Sequence, residues 1–356
     1  MKSRFGLSAV VALAMSLPTG LHAQEAPAEF KGTGKLVVNN WGGPTVEKMH
    51  AAWYGDFPNA TGIDVTFTSI PDVAKLKIMN QVGNVEWDVV DFEGAQMLQA
   101  MKDDLLEPID YDLMFKLVPK EQLDPAQMTK YGIGSIAFGT IMAWNTDTVG
   151  KNGPANWTEF FDTAKFKGRR ALYARPKPTL EIMLMADGVA PKDIYPIDID
   201  RAFKALAKFG PSVDLWVEKT SQWDVLIQNK EVDLMGSSLG RTVTQIDKGE
   251  PLAINFNQSI MEQSFWTIPK GAPNVKDAQK LVAWMARAEG ERASLKLFPY
   301  YSVANKTAYE GLPKELLAKM PGTPEHSANS LTINAQWWLE HDAEVQTRWL
   351  NWLSSR

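Results

Sequence analysis

The pentapeptide Gly236-Ser-Ser238-Leu-Gly240 has the spacing of a nucleophile elbow, with a strand pattern before it and a helical pattern after it. Acyl transfer there needs a base for the serine proton, and downstream of Ser238 the chain offers only His326 and His341, both in polar segments. A glycine-serine turn above a strand end accounts for the same residues without chemistry. Gly132-x-Gly134-x-x-Ala137 fits the loose dinucleotide fingerprint, but the residues after it are strand-like where that fingerprint demands a helix. No H-E-x-x-H, phosphate loop or cluster of metal ligands occurs, so neither a metal nor a cofactor is expected.

Recognition of a charged small molecule is better provided for than catalysis. Lys35-Leu-Val-Val-Asn-Asn-Trp-Gly-Gly-Pro reads as a strand, a glycine turn and a helix start. Gly42 and Gly43 leave room for close approach, Pro44 suits a first helical position, and Trp41 offers a flat wall. The free amides of such a turn favour an anionic group. Arg175 follows a predicted strand over 169–174, Arg241 follows one over 232–236, and Glu93 ends one over 87–92. A guanidinium at that layer can hold a carboxylate through two parallel hydrogen bonds, and Glu93 can answer an ammonium. Surface ion pairs are the alternative use of each.

These residues need a scaffold that gathers strand ends. Helical spacing over 45–57, alternation over 63–68, helical spacing over 73–82 and the run Trp87-Asp-Val-Val-Asp-Phe92 are repeated βα units, which predict a mostly parallel, doubly wound sheet. Residues 135–145 read as an extended crossing segment into a second series of strands and helices. Residues 264–269 cross back to a strong amphipathic helix over 275–287, and residues 331–353 are read as largely helical.

A chain of 356 residues exceeds what one compact core usually holds, so two domains are expected. Lys2 and Arg4, an apolar run from Phe5 to Leu17 and a small residue at Ala23 mark residues 1–23 as a secretory signal. The formal charge of −5, more negative once Lys2 and Arg4 are removed, argues against nucleic acid or an anionic lipid surface as partner. With no cysteine the chain carries neither a disulfide framework nor a lipoprotein anchor. The expected product is soluble, exported and periplasmic in a Gram-negative source.

Taken together, Asn40-Trp-Gly-Gly43, Trp87-Asp-Val-Val90, Asn145-Thr-Asp147, Trp157 to Leu172 with its Phe-Lys-Gly-Arg-Arg core, Pro178-Thr-Leu-Glu-Ile182, Phe265-Trp-Thr-Ile-Pro269 and Pro299-Tyr-Tyr301 with Asn305 occur in a specific order. In that order the chain resembles the spermidine/putrescine-binding-like solute-binding proteins of bacterial ABC importers. The resemblance implies a type II periplasmic-binding-protein fold, α/β, with lobe 1 over 24–140 and 264–305 and lobe 2 over 141–263 and 306–356. It implies a ligand cleft between the lobes, a membrane permease as partner, a monomer, and binding without chemistry. Polyamine binders of the family set acidic side chains against amines, and by alignment those positions hold Pro176, Thr179 and Ser264. Ser238 stands where an aromatic would be expected, and Arg241 is added positive charge. The pattern is closer to the branch associated with γ-aminobutyrate (GABA) and similar amino-carboxylates.

The expected ligand is therefore a small zwitterion. Arg241, helped by Arg175 and the amides after Gly42, would hold its carboxylate, Glu93 its ammonium, and Trp41, Phe92 and Tyr301 its methylenes, with Gly43, Ser238 and Ser264 completing the lining. Trp337 and Trp338 are read as helix packing rather than rim. Three alternatives stay open: a polyamine receptor, a receptor for an aromatic or other organic acid, and a secreted serine hydrolase.

Overall fold

The computed structural model describes residues 26–41 and 44–355. The secretory signal read over 1–23, together with Gly42 and Gly43, lies outside the described residues. Strand Lys35–Asn40 pairs in parallel with Asp64–Ser69 on one side and Val89–Glu93 on the other, and helices Pro44–Tyr54, Val73–Gln81 and Gly94–Lys102 follow these strands in turn. The helix starts are chemically marked. Asp72 accepts the amides of Ala74 and Lys75, and the Gln96 side chain accepts the amide of Glu93 at 3.1 Å. A second parallel group is built from Arg170–Tyr173, Leu215–Val217 and Leu234–Ser238, with helices Pro176–Ala186, Ile199–Phe209, Gln222–Gln228 and Leu239–Asp247.

Two long antiparallel strands, Gly132–Asn145 and Leu252–Pro269, join the groups into one continuous sheet. Leu252–Pro269 pairs with Val89–Glu93, and Gly132–Asn145 pairs with Leu234–Ser238, so the chain crosses between the halves as strand rather than as loose linker. The second crossing strand begins twelve residues before its expected start at Ser264. Polar residues Asn255, Asn257, Gln258 and Ser259 mask it in the sequence, and the ladder skips there, between Asn255 and Ile260. Gln258 takes a φ of 61° at this irregularity. Trp157 fastens it, donating its backbone amide to Gln258 Oε1 and its indole N–H to the Gln258 carbonyl, both at 2.9 Å.

Helix Pro176–Ala186 opens directly after Arg175, with Lys177 and Pro178 outside helical geometry in its first turn. In the tail, a short strand Leu331–Thr332 pairs with the second crossing strand before helix Ala335–Ser354 begins under an Asn334 cap. Trp337, Trp338, Val345 and Trp349 of that helix pack with Met142, Trp157, Ile182 and Leu206. Trp53, Phe57, Trp266 and Trp284 centre the core of the other half. The Phe-Lys-Gly-Arg-Arg segment owes its form to Arg170. That side chain is 2% exposed and donates to the carbonyls of Phe160, Phe166 and Gly168.

Candidate ligand-binding site

Strand ends from both halves of the sheet border one cavity of about 220 Å3. Lys35–Asn40 delivers Asn40 and Trp41, Val89–Glu93 delivers Asp91 and Glu93, and Leu234–Ser238 delivers Ser238 with Gly240 just beyond. The crossing strands add Phe138 and Ser264, and Tyr300 and Tyr301 complete the wall. Trp41 stays 39% exposed, an unusual position for tryptophan and a suitable one for a stacking wall. The Ser264 hydroxyl is buried with no hydrogen-bond partner among the described residues, so it is free to serve a bound molecule.

The cavity is electronegative. Asp91 is pushed up to about 7 by burial and by the nearby charge of Glu93, against a hydrogen bond from the Ser135 hydroxyl. Burial and Glu262 raise Glu93, while Lys177 and Arg175 pull it back. Burial raises Tyr300 and Tyr301 as well, and the positive charge of Arg241 opposes it at both. Among the described residues the lining includes two carboxylates and no lysine or arginine.

Of the residues proposed from sequence, Trp41, Glu93, Ser238, Ser264 and Tyr301 line this cavity together. Phe92 does not. It is fully buried in a cluster with Leu76, Met97 and Phe265, because successive strand side chains alternate and Asp91 and Glu93 share the other face. Arg175 precedes the helix Pro176–Ala186 and lies over the Tyr173 ring at 4.2 Å. Arg241 pairs with Asp224 at 2.6 Å, half-exposed, so it acts on the site through its field. Of the three positions where polyamine binders carry acids, Pro176 starts a helix and Thr179 is turned inward to the Tyr173 carbonyl; only Ser264 reaches the cavity. Asp91, not among the residues expected to line the site, shares a face with Glu93 because the two stand two residues apart on a strand.

A larger cavity of about 490 Å3 shares Glu93 with the first and is bordered by Lys177, Glu262, Gln263, Gln336 and Trp338. Lys177 pairs with Glu262 at 2.5 Å. Trp338 donates to Glu181 while bordering this space, so it packs and faces the cavity at once. Trp337 is buried beside it and stacks on His341.

The resemblance to a nucleophile elbow has a packing cause. A side chain at Gly236 would run into Leu172 and Trp157, and one at Gly240 into the Tyr300 ring. His326 stacks on Phe256 and contacts the Met320 carbonyl, while His341 contacts the Trp337 carbonyl, and neither borders the cavity with Ser238. Gly132 to Ala137 lie within a crossing strand, where no helix N-terminus is available for a pyrophosphate.

Comparison with known proteins agrees with a binding cleft of this kind. Residues 52–322 match the family of bacterial extracellular solute-binding proteins. A gamma-aminobutyric acid-binding protein of Pseudomonas aeruginosa is 28% identical over 328 residues, 89% of this chain and 90% of that protein. Among solved structures, an ABC transporter substrate-binding protein from Bradyrhizobium japonicum superposes with a TM-score of 0.81 at 28% identity, covering 89% of this chain and 99% of the other. A GABA receptor superposes with a TM-score of 0.77 at 31% identity, covering 89% and 97%. The neighbours share the two-lobed binding-protein architecture, each of them built, like this chain, for capture rather than turnover. The chain belongs to the bacterial extracellular solute-binding proteins, the receptors of ABC importers.

Proposed function

We propose that this receptor takes a GABA-like ω-amino acid in the periplasm and hands it to a membrane permease. The observation that carries the reading is the cavity itself: an exposed tryptophan, two tyrosines, a carboxylate pair and one unpartnered hydroxyl around about 220 Å3. Glu93 and Asp91 would hold the ammonium, and Trp41, Tyr300 and Tyr301 the methylenes. The carboxylate would take the Ser264 hydroxyl and the first-turn amides of helix Leu239–Asp247, whose preceding residue Ser238 does not cap it through its side chain. Arg241 and Arg175 would add a favourable field. The GABA-binding relatives support the same ligand class.

The two carboxylates, with no basic side chain among the described residues of the cavity's lining, favour a second reading, a polyamine receptor. Calorimetric titration of the mature protein with GABA and putrescine separates the two. GABA should bind, and at a hundred times its dissociation constant should stabilise the fold by about 2.7 kcal/mol in a thermal melt. Putrescine binding alone would overturn the amino-acid reading.

A further inference from the structure

On the larger cavity, which meets the smaller one at Glu93, the protein supplies an ammonium of its own. Lys177 leaves the first turn of helix Pro176–Ala186, in one half of the molecule, and its Nζ lies 2.5 Å from Glu262 Oε2 on a crossing strand. The two side chains are 29% and 16% exposed. Both border the same space as Glu93, which ends a strand of the other half. Lys177 is thus held among three carboxylates: Glu262 in direct contact, with Glu93 and Glu181 within reach of its charge. Burial alone would lower its ammonium, but these carboxylates outweigh it and keep the charge in place.

We propose that Lys177 is a resident counter-ion that fills the position of a second ligand ammonium, so that the receptor accepts molecules with one ammonium and rejects diamines and polyamines. The inference deepens the amino-acid reading above and rests on it. Without Lys177, Glu93 and Glu262 would be two carboxylates facing one space, a natural acceptor for a dication. With it, Glu262 is neutralised and an incoming second ammonium meets like charge in a partly dry cleft, where repulsion is far stronger than in water. A ligand with one ammonium needs only Glu93 and Asp91 and avoids that repulsion. Specificity here comes from an element set against the wrong ligand rather than from a contact to the right one.

The test is calorimetric titration of wild type, Lys177→Gln and the double variant Lys177→Gln/Glu262→Gln with putrescine and with GABA. Circular dichroism melts establish that each is folded, and Lys177→Met serves in parallel should Lys177→Gln fail to fold. Putrescine should bind the single variant at least about tenfold more tightly than wild type, the lower end of what a close charge pair contributes, and the double variant should lose that gain. A gain below twofold in both single variants, or a gain that survives Glu262→Gln, overturns the assignment of Lys177. Failure of wild type to bind GABA would instead remove the ligand reading, because the putrescine comparison between variants is read independently.

Discussion

Ser135 donates its hydroxyl proton to Asp91 at 2.6 Å, a buried bond from the first crossing strand to the strand that ends at Glu93. It favours the charged form of a carboxyl that burial pushes up to about 7. If Asp91 helps to hold a ligand ammonium, binding must draw it towards the carboxylate and release a proton. GABA affinity should therefore rise between about pH 6 and pH 8, with proton release detectable as a dependence of the calorimetric heat on buffer ionisation enthalpy. Asp91→Asn should flatten that dependence, and Ser135→Ala should move it to higher pH. A pH-independent affinity in wild type would remove Asp91 from the site.

The same carboxyls make a prediction for the ligand-free fold. Asp91 and the fully buried Glu181 are both raised to about 7 by burial, so in the folded state they keep protons that the unfolded chain gives up near ordinary carboxyl values. The folded state then binds more protons across that window, and its stability must fall as pH rises from the unfolded value through about 7. Thermal melts of the ligand-free protein should show a falling midpoint over this range, less steep in Glu181→Gln. A midpoint that climbs through the window would contradict the environment assigned to both groups.

Trp41 provides a test of the aromatic wall. It stays partly exposed on a cavity that Asp91 and Glu93 also line. Replacing it with alanine should weaken GABA by about 1–2 kcal/mol, roughly five- to thirtyfold, through lost ring contact with the ammonium and methylenes. Because Trp41 belongs to none of the buried core clusters, the thermal midpoint without ligand should move little. Unchanged affinity would place the ligand elsewhere in the cleft.

The elements of this fold were legible where a single period dominates. Ile199–Phe209 is legible in the sequence because its apolar stripe is clean and Asp198 caps it. The second crossing strand was read only in its apolar last third, since its polar first part gains strand geometry from pairing with residues 142–145 and not from its own pattern. The candidate cavity is legible at strand ends, where Trp41, Glu93 and Ser238 each stand between a strand and the next helix. What sequence spacing could not supply was pairing across the fold. Nothing near Arg241 in the chain announces Asp224, and nothing near Lys177 announces Glu262, yet these two ion pairs fix where both cations sit. Phe92 was misplaced for a simpler reason: as neighbour of two site residues on a strand it had to face the other way.

Trp157 should be the most costly of these side chains to remove without touching the ligand. It is fully buried, packs edge-on to Phe160 and fastens the irregular stretch of the crossing strand through two hydrogen bonds. Trp157→Ala should destabilise the fold by about 3–5 kcal/mol in chemical denaturation. Trp157→Phe keeps most of the packing and should lose less. Equal losses in both variants would mean that the indole hydrogen bond, not the packing, holds the crossing strand.

Arg241 and Asp224 give the last prediction, and its sign separates two roles for the arginine. Arg241 Nη1 lies 2.6 Å from Asp224, which also accepts a hydrogen bond from Gln245. The guanidinium is half-exposed, so the pair contributes under about 1 kcal/mol to stability and Arg241→Ala should leave the melting midpoint nearly unchanged. If Arg241 held the ligand carboxylate directly, its removal would cost on the order of 3–5 kcal/mol of GABA binding, because a buried charge would lose its partner. The geometry instead gives it a field at Tyr300 and Tyr301, muted by Asp224, so the expected loss is below about tenfold. Asp224→Asn removes the muting charge and should tighten GABA severalfold while leaving the cavity lining intact. Calorimetry on both variants decides the matter: a loss of a hundredfold or more in Arg241→Ala would restore the direct contact, and weaker binding in Asp224→Asn would show that the pair positions the helix rather than tuning its charge.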